Sequence, residues 1–293
     1  MSEKQHPLIR GAAWAARILP DSFKRWLYRT PPLAGLARRI LNAAAPMGLS
    51  EVTIAAGVLQ GSRMLLDLHS EKDYWLGTYE PELQAALRNL VHPGVTLFDV
   101  GANIGYVSLM AARLCGEKGH VFAFEALPKN VERLKKNVEM NALYNCISIL
   151  QAAVMDKSGE AFFLEHASGA MGKVKGSAGR DEHYIAELRV PAIALDDFIY
   201  KQGNPPPQVV KIDIEGGEAL ALKGMTRLLR KERPVLLIEL HGLEAAHKVW
   251  QELSIQDYRI HQMGGKMQEI TSLEALGWKA YISALPDGKP SPI

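Results

Sequence analysis

Residues 98–108 read FDVGANIGYVS: the end of an apolar run, an acid, then Gly101 and Gly105 with Asn103 between them. VTLFDV (95–100) is short, apolar and bounded by Gly94 and Gly101, which predicts a buried strand. IGYVSLMAARL (104–114) has the composition of a helix. Glycine lets the backbone turn sharply and approach a ligand with no Cβ in the way. The first turn of the following helix offers free N–H groups and the positive end of its dipole. The stretch reads either as a nucleotide-cofactor loop in a βα turn or as a tight turn joining strand to helix.

The flanking rhythm supports a parallel sheet. HVFAFE (120–125) is a second strand, PKNVERLKKNVEMNA (128–142) a helix with proline at its start, and CISILQAAV (146–154) a third strand. The rhythm breaks over 155–195, where AFFLEHA (161–167) and ELRVPAIAL (187–195) alternate like antiparallel strands. The loop inserted at 165–186 between them is rich in Gly, Ser and Lys, and loops of this length are often functional. QVVKIDIEG (208–216), a helix over 217–231, PVLLIELHG (234–242) and a helix over 243–253 restore the rhythm. DYRIHQM (257–263) and KAYISAL (279–285) finish the sheet as an antiparallel pair. The expected fold is α/β, a doubly wound sheet with helices on both faces.

Upstream, VLQGSRMLLDLHS (58–70) reads as a hairpin turning at Gly61, and 73–91 as helical with Pro81 early in the main helix. Residues 1–57 are expected to form a basic helical extension and 58–293 the main domain. Residues 1–48 carry Lys4, Arg10, Arg17, Lys24, Arg25, Arg29, Arg38 and Arg39 against Glu3 and Asp21. With Trp14, Ile18, Phe23 and Trp26 among them, the segment suits peripheral contact with an anionic membrane surface, or a helical subdomain packed on the main domain.

Composition excludes several classes. A net charge of +2 over 293 residues is too small for nucleic acid to be the main partner. The two cysteines, Cys115 and Cys146, form neither a metal knuckle nor a disulfide framework. No stretch has the apolar length of a membrane span and no signal peptide is read, so a cytoplasmic protein is expected.

Glu125 ends the second predicted strand, where an acid can accept hydrogen bonds from both ribose hydroxyls of an adenosine cofactor. A pyrophosphate dinucleotide prefers G-x-G-x-x-G. Here Asn103 takes the second glycine position and Asp99 precedes the loop, which suits a cationic ligand. S-adenosylmethionine, a sulfonium with an ammonium, fits better than a nicotinamide dinucleotide.

These residues carry a family resemblance. TLFDVGANIGYVS, FAFEALPKNVERLKKN, AAVMDKSGEAFF, LDDF, VVKIDIEGGEALALKGM and LLIELHG occur in the order of the FkbM-type methyltransferases, over roughly 75–245. The chain departs from the family at FEALP, where Ala126 replaces a common proline. The resemblance implies a class I, Rossmann-like sheet of seven strands with the last one antiparallel. It also implies S-adenosylmethionine as donor and, most often, a hydroxyl of a sugar, glycolipid or secondary metabolite as acceptor.

On this reading Asp99, Gly101, Asn103, Gly105, Glu125, Ala153 and Asp213 hold the cofactor, and Tyr79 and Glu80 close over its methionine end. His241 is the expected base, with Asp213 and Glu239 as orienting acid or alternative base. Glu215, His166, Ser168 and Met171 are acceptor candidates, and Glu218 is expected to stabilise a helix N-terminus. No metal ligands are assigned. The alternatives are an NAD(P)-dependent oxidoreductase on the same sheet and a non-catalytic cofactor-binding or membrane-surface module.

Overall fold

The computed structural model describes residues 7–19, 30, 35, 39, 41–167, 171–179, 183–264, 267–277 and 279–288. The chain divides into two compact units, 1–80 and 81–293.

In the first unit, the helix Pro7–Ile18 leaves Trp14 and Ile18 exposed. Strands β1 (Leu49–Thr53) and β2 (Arg63–Asp67) pair antiparallel. The hairpin therefore begins nine residues earlier than 58, and Gly61 sits in its connection with φ +84°. The mixed stretch LSEVT hid the first strand, because only Val52 in it is buried. The helix Lys72–Leu76 stops at Gly77, where a Cβ would meet the Ala56 carbonyl oxygen at 2.0 Å. The expected helix over 73–91 is thus two, and its second part, Pro81–Leu90, opens the second unit with Pro81 at its start.

The second unit holds β3 (Thr96–Val100), β4 (His120–Glu125), β5 (Ile147–Gln151), β6 (Ala153–Val154), β7 (Gly159–His166), β8 (Gly172–Val174), β9 (Tyr184–Ile193), β10 (Val209–Ile212), β11 (Val235–His241), β12 (Tyr258–Gln262) and β13 (Lys279–Pro286). Seven of them form one sheet in the order β12-β13-β11-β10-β3-β4-β5. β3, β4, β5, β10 and β11 run parallel, and β13 runs antiparallel to both its neighbours. From β3 the chain winds one way to β5, then returns to lay β10 on the other side of β3. That reversal is the topological switch point, where such sheets bind ligands beyond the strands' carboxyl ends. The helices Tyr106–Cys115 and Pro128–Met140 follow β3 and β4 as expected.

Strand period two divides the sheet's faces. Phe98, Val100, Val210, Ile212, Leu236, Ile238 and Leu240 point into one core. Asp99, Lys211, Glu239 and His241 alternate with them and fall on the other face. Phe98, Phe122, Phe124 and Phe198 make edge-to-face contacts in that core, with ring centroids 5.2–5.6 Å apart.

Three expected elements come out differently. The third strand ends at Gln151, and Ala153–Val154 crosses to a second sheet of order β6-β9-β7-β8. The inserted loop contains a short strand, β8, paired with β7. The helix over 217–231 breaks into Glu218–Lys223 and Thr226–Lys231. At the break, a Cβ on Gly224 would meet the Met155 carbonyl oxygen at 1.9 Å, so this close approach needs glycine.

Phe98 has no exposed surface and touches three other rings. Phe98→Ala should cost about 3–5 kcal/mol in urea unfolding. A loss below about 1 kcal/mol would show that the aromatic cluster does not anchor the sheet.

Candidate active site

The glycine loop lies against the end of β10. Gly101 adopts φ +80°, and a Cβ there would stand 1.9 Å from the Asp213 carbonyl oxygen. Gly105 adopts φ +90°, and its Cβ would collide with Leu134 Cδ1 at 2.2 Å. The N–H groups of Gly101 and Ala102 both donate to the Phe124 carbonyl, at 3.0 and 2.9 Å. Asn103 is held at φ +49°, a region that asparagine tolerates better than most residues. The loop is therefore fixed by its own backbone before any ligand arrives.

Glu125 ends β4 beside it. Its carboxylate accepts the Asn103 N–H at 2.8 Å and the Leu127 N–H at 2.8 Å. Burial raises its pKa, against the pull of those two N–H groups. A carboxylate has about four lone-pair sites, so room remains for ribose hydroxyls. Asn103 Oδ1 is buried with no hydrogen-bond partner among the described residues. An orphan acceptor beside a glycine cradle is what a cofactor carrying hydrogen-bond donors would satisfy.

Asp99 has no exposed surface. Ser108 Oγ donates to its Oδ2 at 2.5 Å, and Lys211 Nζ lies 3.2 Å from its Oδ1. Asp99 is thus joined to the glycine loop through Lys211, which also bonds the Gly101 carbonyl. Ala153, assigned to the cofactor, is buried in β6 and pairs with Ala192. Tyr79 and Glu80 belong to the first unit, where the Tyr79 ring meets Tyr74 with centroids 4.3 Å apart.

Past Lys211, the ends of β10 and β11 bring acids and a histidine together. Lys211 is the register partner of Asp99 on β3, donates to the Gly101 carbonyl at 2.8 Å and lies 3.7 Å from Asp213 Oδ2. His241 is buried. Its Nδ1 is 3.0 Å from Glu218 Oε1, and its Nε2 is 3.0 Å from Glu239 Oε1, 3.7 Å from Glu215 Oε2 and 3.8 Å from Asp213 Oδ1. Glu218 is wholly buried and also accepts the Gly216 N–H at 2.9 Å. Lys279, the register partner of His241 on β13, closes an ion pair with Glu239. Asp213, Glu239 and His241 each offer a ligand atom, all within 4.8 Å of one another.

The charges follow from this packing. Burial works against a charged His241, but the hydrogen bonds to Glu218 and Glu239, with Asp213 and Glu215 close by, outweigh it and push its pKa up to about 11. Burial likewise raises Glu239, but hydrogen bonds from His241 and Lys279 bring it down to about 2. Burial raises Asp213 to about 6, with Lys211 and His241 opposing and Glu239 and Glu215 assisting. His241, the expected base, thus stands between two carboxylates, one at each ring nitrogen.

Glu218 stands in the first turn of its helix as expected, and its main charged contact is His241. Sequence reasoning missed Lys279. Lys279 comes from a distant antiparallel strand whose register no local pattern shows. Glu215 is half-buried with φ +52°, a strained backbone for a non-glycine residue. Of the acceptor candidates on the second sheet, His166 ends β7 with its ring 6.0 Å from those of His183 and Tyr184, and Met171 is partly exposed. Ser168 lies outside the described residues. Among the described residues, no helix is long and apolar enough to cross a membrane.

A model of the FkbM methyltransferase domain matches residues 99–260. The hexuronic acid methyltransferase AglP of Haloferax volcanii is 32% identical over 146 residues, covering 50% of this chain and 56% of that protein. A ribosomal protein L11 methyltransferase of Anoxybacillus flavithermus is 27% identical over 104 residues, 35% of this chain and 33% of that protein. The chain thus spans about half or less of the length of these curated relatives. Among solved structures, the methyltransferase FkbM of Methylobacillus flagellatus is 18% identical with a TM-score of 0.42, over 74% of this chain and 53% of that one. The precorrin-6y C5,15-methyltransferase of Geobacter metallireducens is 19% identical with a TM-score of 0.41, over 69% and 84%. The domain match covers more than half of the chain, including the glycine loop, Glu125 and the whole acid–histidine cluster, and the protein belongs to the FkbM family of S-adenosylmethionine-dependent methyltransferases.

Proposed function

We propose that the protein transfers the methyl group of S-adenosylmethionine to a hydroxyl oxygen of a sugar-type acceptor. The observation that carries this reading is the joining of two features at the switch point. The cofactor cradle, Gly101 to Glu125, abuts a cluster in which Asp213 and Glu215 keep exposed surface (21% and 25% of their side chains) while Glu218, Glu239 and His241 lie buried behind them. Gly101, Asn103, Gly105 and Glu125 hold the adenosine end. The hexuronic acid named in the Haloferax volcanii relative motivates the sugar class.

Methyl transfer is an in-line displacement. The acceptor oxygen forms the new C–O bond as the C–S bond breaks, and S-adenosylhomocysteine leaves with the electron pair. Placing the oxygen behind the methyl supplies much of the rate. The hydroxyl must also lose its proton, and a positioned carboxylate accepts it. Asp213 and Glu215 are the groups that meet the hydroxyl, and its proton leaves into their cluster. A cluster rich in carboxylates welcomes a hydroxyl donor and repels an acceptor that is itself a carboxylate. This favours an ether product over an ester. Glu239 and His241 are positioning residues that hold Asp213 and Glu215 in place. The basic N-terminal segment, with Trp14 and Ile18 exposed, suits contact with an anionic lipid surface.

Incubation with isotopically methyl-labelled S-adenosylmethionine and uronic-acid-containing oligosaccharides should give a methyl resonance correlated to a ring carbon and stable to mild alkali. An alkali-labile methyl would make the product an ester and overturn the hydroxyl assignment. Asp213→Asn should lower kcat by about 10²–10⁴-fold while S-adenosylhomocysteine affinity stays within about threefold, a difference under about 0.7 kcal/mol. Equal losses in both would move Asp213 to the cofactor. Glu125→Gln should weaken S-adenosylhomocysteine by at least about tenfold in calorimetry, because a charge-assisted bond becomes a neutral one. Unchanged affinity would remove Glu125 from the ribose.

A further inference from the structure

We propose that Asp213, Glu239 and His241 form a site for one hard divalent cation, of the magnesium or manganese class, at the acceptor end of the cleft. The sequence reading assigned no metal here. This inference rests on the methyltransferase reading of the same site and deepens it.

The geometry has three parts. One ligand atom from each residue lies within 4.8 Å of the others, close enough to share a small ion. His241 is arranged as a metal-bound histidine usually is, with one ring nitrogen facing the site and the other bonded to a carboxylate behind it. Here Nδ1 meets Glu218 at 3.0 Å, and Glu218 is itself fixed by the Gly216 N–H at 2.9 Å. The third part is charge. Glu218 Oε2 is wholly buried with no hydrogen-bond partner among the described residues. Carboxylates (Asp99, Asp213, Glu215, Glu218, Glu239) outnumber the basic groups Lys211, His241 and Lys279 through this network. A buried carboxylate oxygen without a partner is costly unless something compensates it.

Two oxygens and one imidazole nitrogen suit a hard cation that keeps several water or substrate oxygens. Neighbouring hydroxyls of a sugar would complete the shell and be oriented toward the methyl. With Asp213 serving as a ligand, Glu215 is the exposed carboxylate left to take the acceptor's proton. Lys279 competes, because its ammonium pairs with Glu239 from a half-exposed position.

The test is titration of the chelator-treated full-length protein with Mn²⁺, followed by calorimetry and by electron paramagnetic resonance. One saturable site per chain is expected. His241→Ala and Asp213→Asn should each weaken it at least tenfold. Glu218→Gln should weaken it less than His241→Ala, since it acts through the histidine. Lys279→Ala should bind Mn²⁺ at least as tightly as the wild type. S-adenosylhomocysteine titration of each variant checks that its cofactor site is folded. Absence of a saturable Mn²⁺ site in the wild type would overturn the proposal, as would a site that survives His241→Ala. Intact S-adenosylhomocysteine binding in that case would leave the methyltransferase reading standing.

Discussion

A buried ammonium holds the two halves of this site together. Lys211 Nζ bonds the Gly101 carbonyl, faces Asp99 across the β3–β10 register and reaches Asp213 at the end of its own strand. Three consequences follow from one charge. The carbonyl of the glycine loop is satisfied, Asp99 has a basic partner although it has no exposed surface, and Asp213 has one at the switch point. Taking one partner out of such a buried pair typically costs about 3–5 kcal/mol. The arrangement is thus a constraint on sequence: a lysine in the middle of a buried parallel strand is tolerable only with acids beside it.

The placement of the chemistry follows from strand period. Lys211 and Asp213, and likewise Glu239 and His241, are two residues apart, so each pair falls on one face of the sheet. Their apolar neighbours Val210, Ile212, Ile238 and Leu240 face the opposite core. The same backbone therefore anchors the fold with one set of side chains and builds the site with the other. The aromatic cluster around Phe98 stiffens the strands that carry the loop.

Much of this was legible before any coordinates. Short apolar runs bounded by glycine and proline marked the parallel strands, and the period-two pairs KID and ELH marked the cluster. What stayed hidden depends on long-range register or on backbone proximity. Lys279 reaches Glu239 because β13 pairs antiparallel with β11, and a register shift of one would have pointed it away. The breaks at Gly77 and Gly224 come from close approach to distant carbonyls, which no local pattern reveals. The β5–β6 departure is similar: AAV reads as a continuation of the strand, yet Ala153 and Val154 pair with β9. His241 looked like a base from its residue type alone. In the structure acids stand at both of its ring nitrogens, one of them from the helix that follows β10.

The glycine loop, Glu125 and the orphan Asn103 oxygen together describe a cradle for an adenosine that ends in a sulfonium, not in a pyrophosphate. The most direct test of that claim is calorimetric titration of the purified protein with S-adenosylhomocysteine and, separately, with NADH and NADPH. Saturable binding of S-adenosylhomocysteine alone is the expected result. Saturable binding of a nicotinamide nucleotide, with none of S-adenosylhomocysteine, would contradict the account.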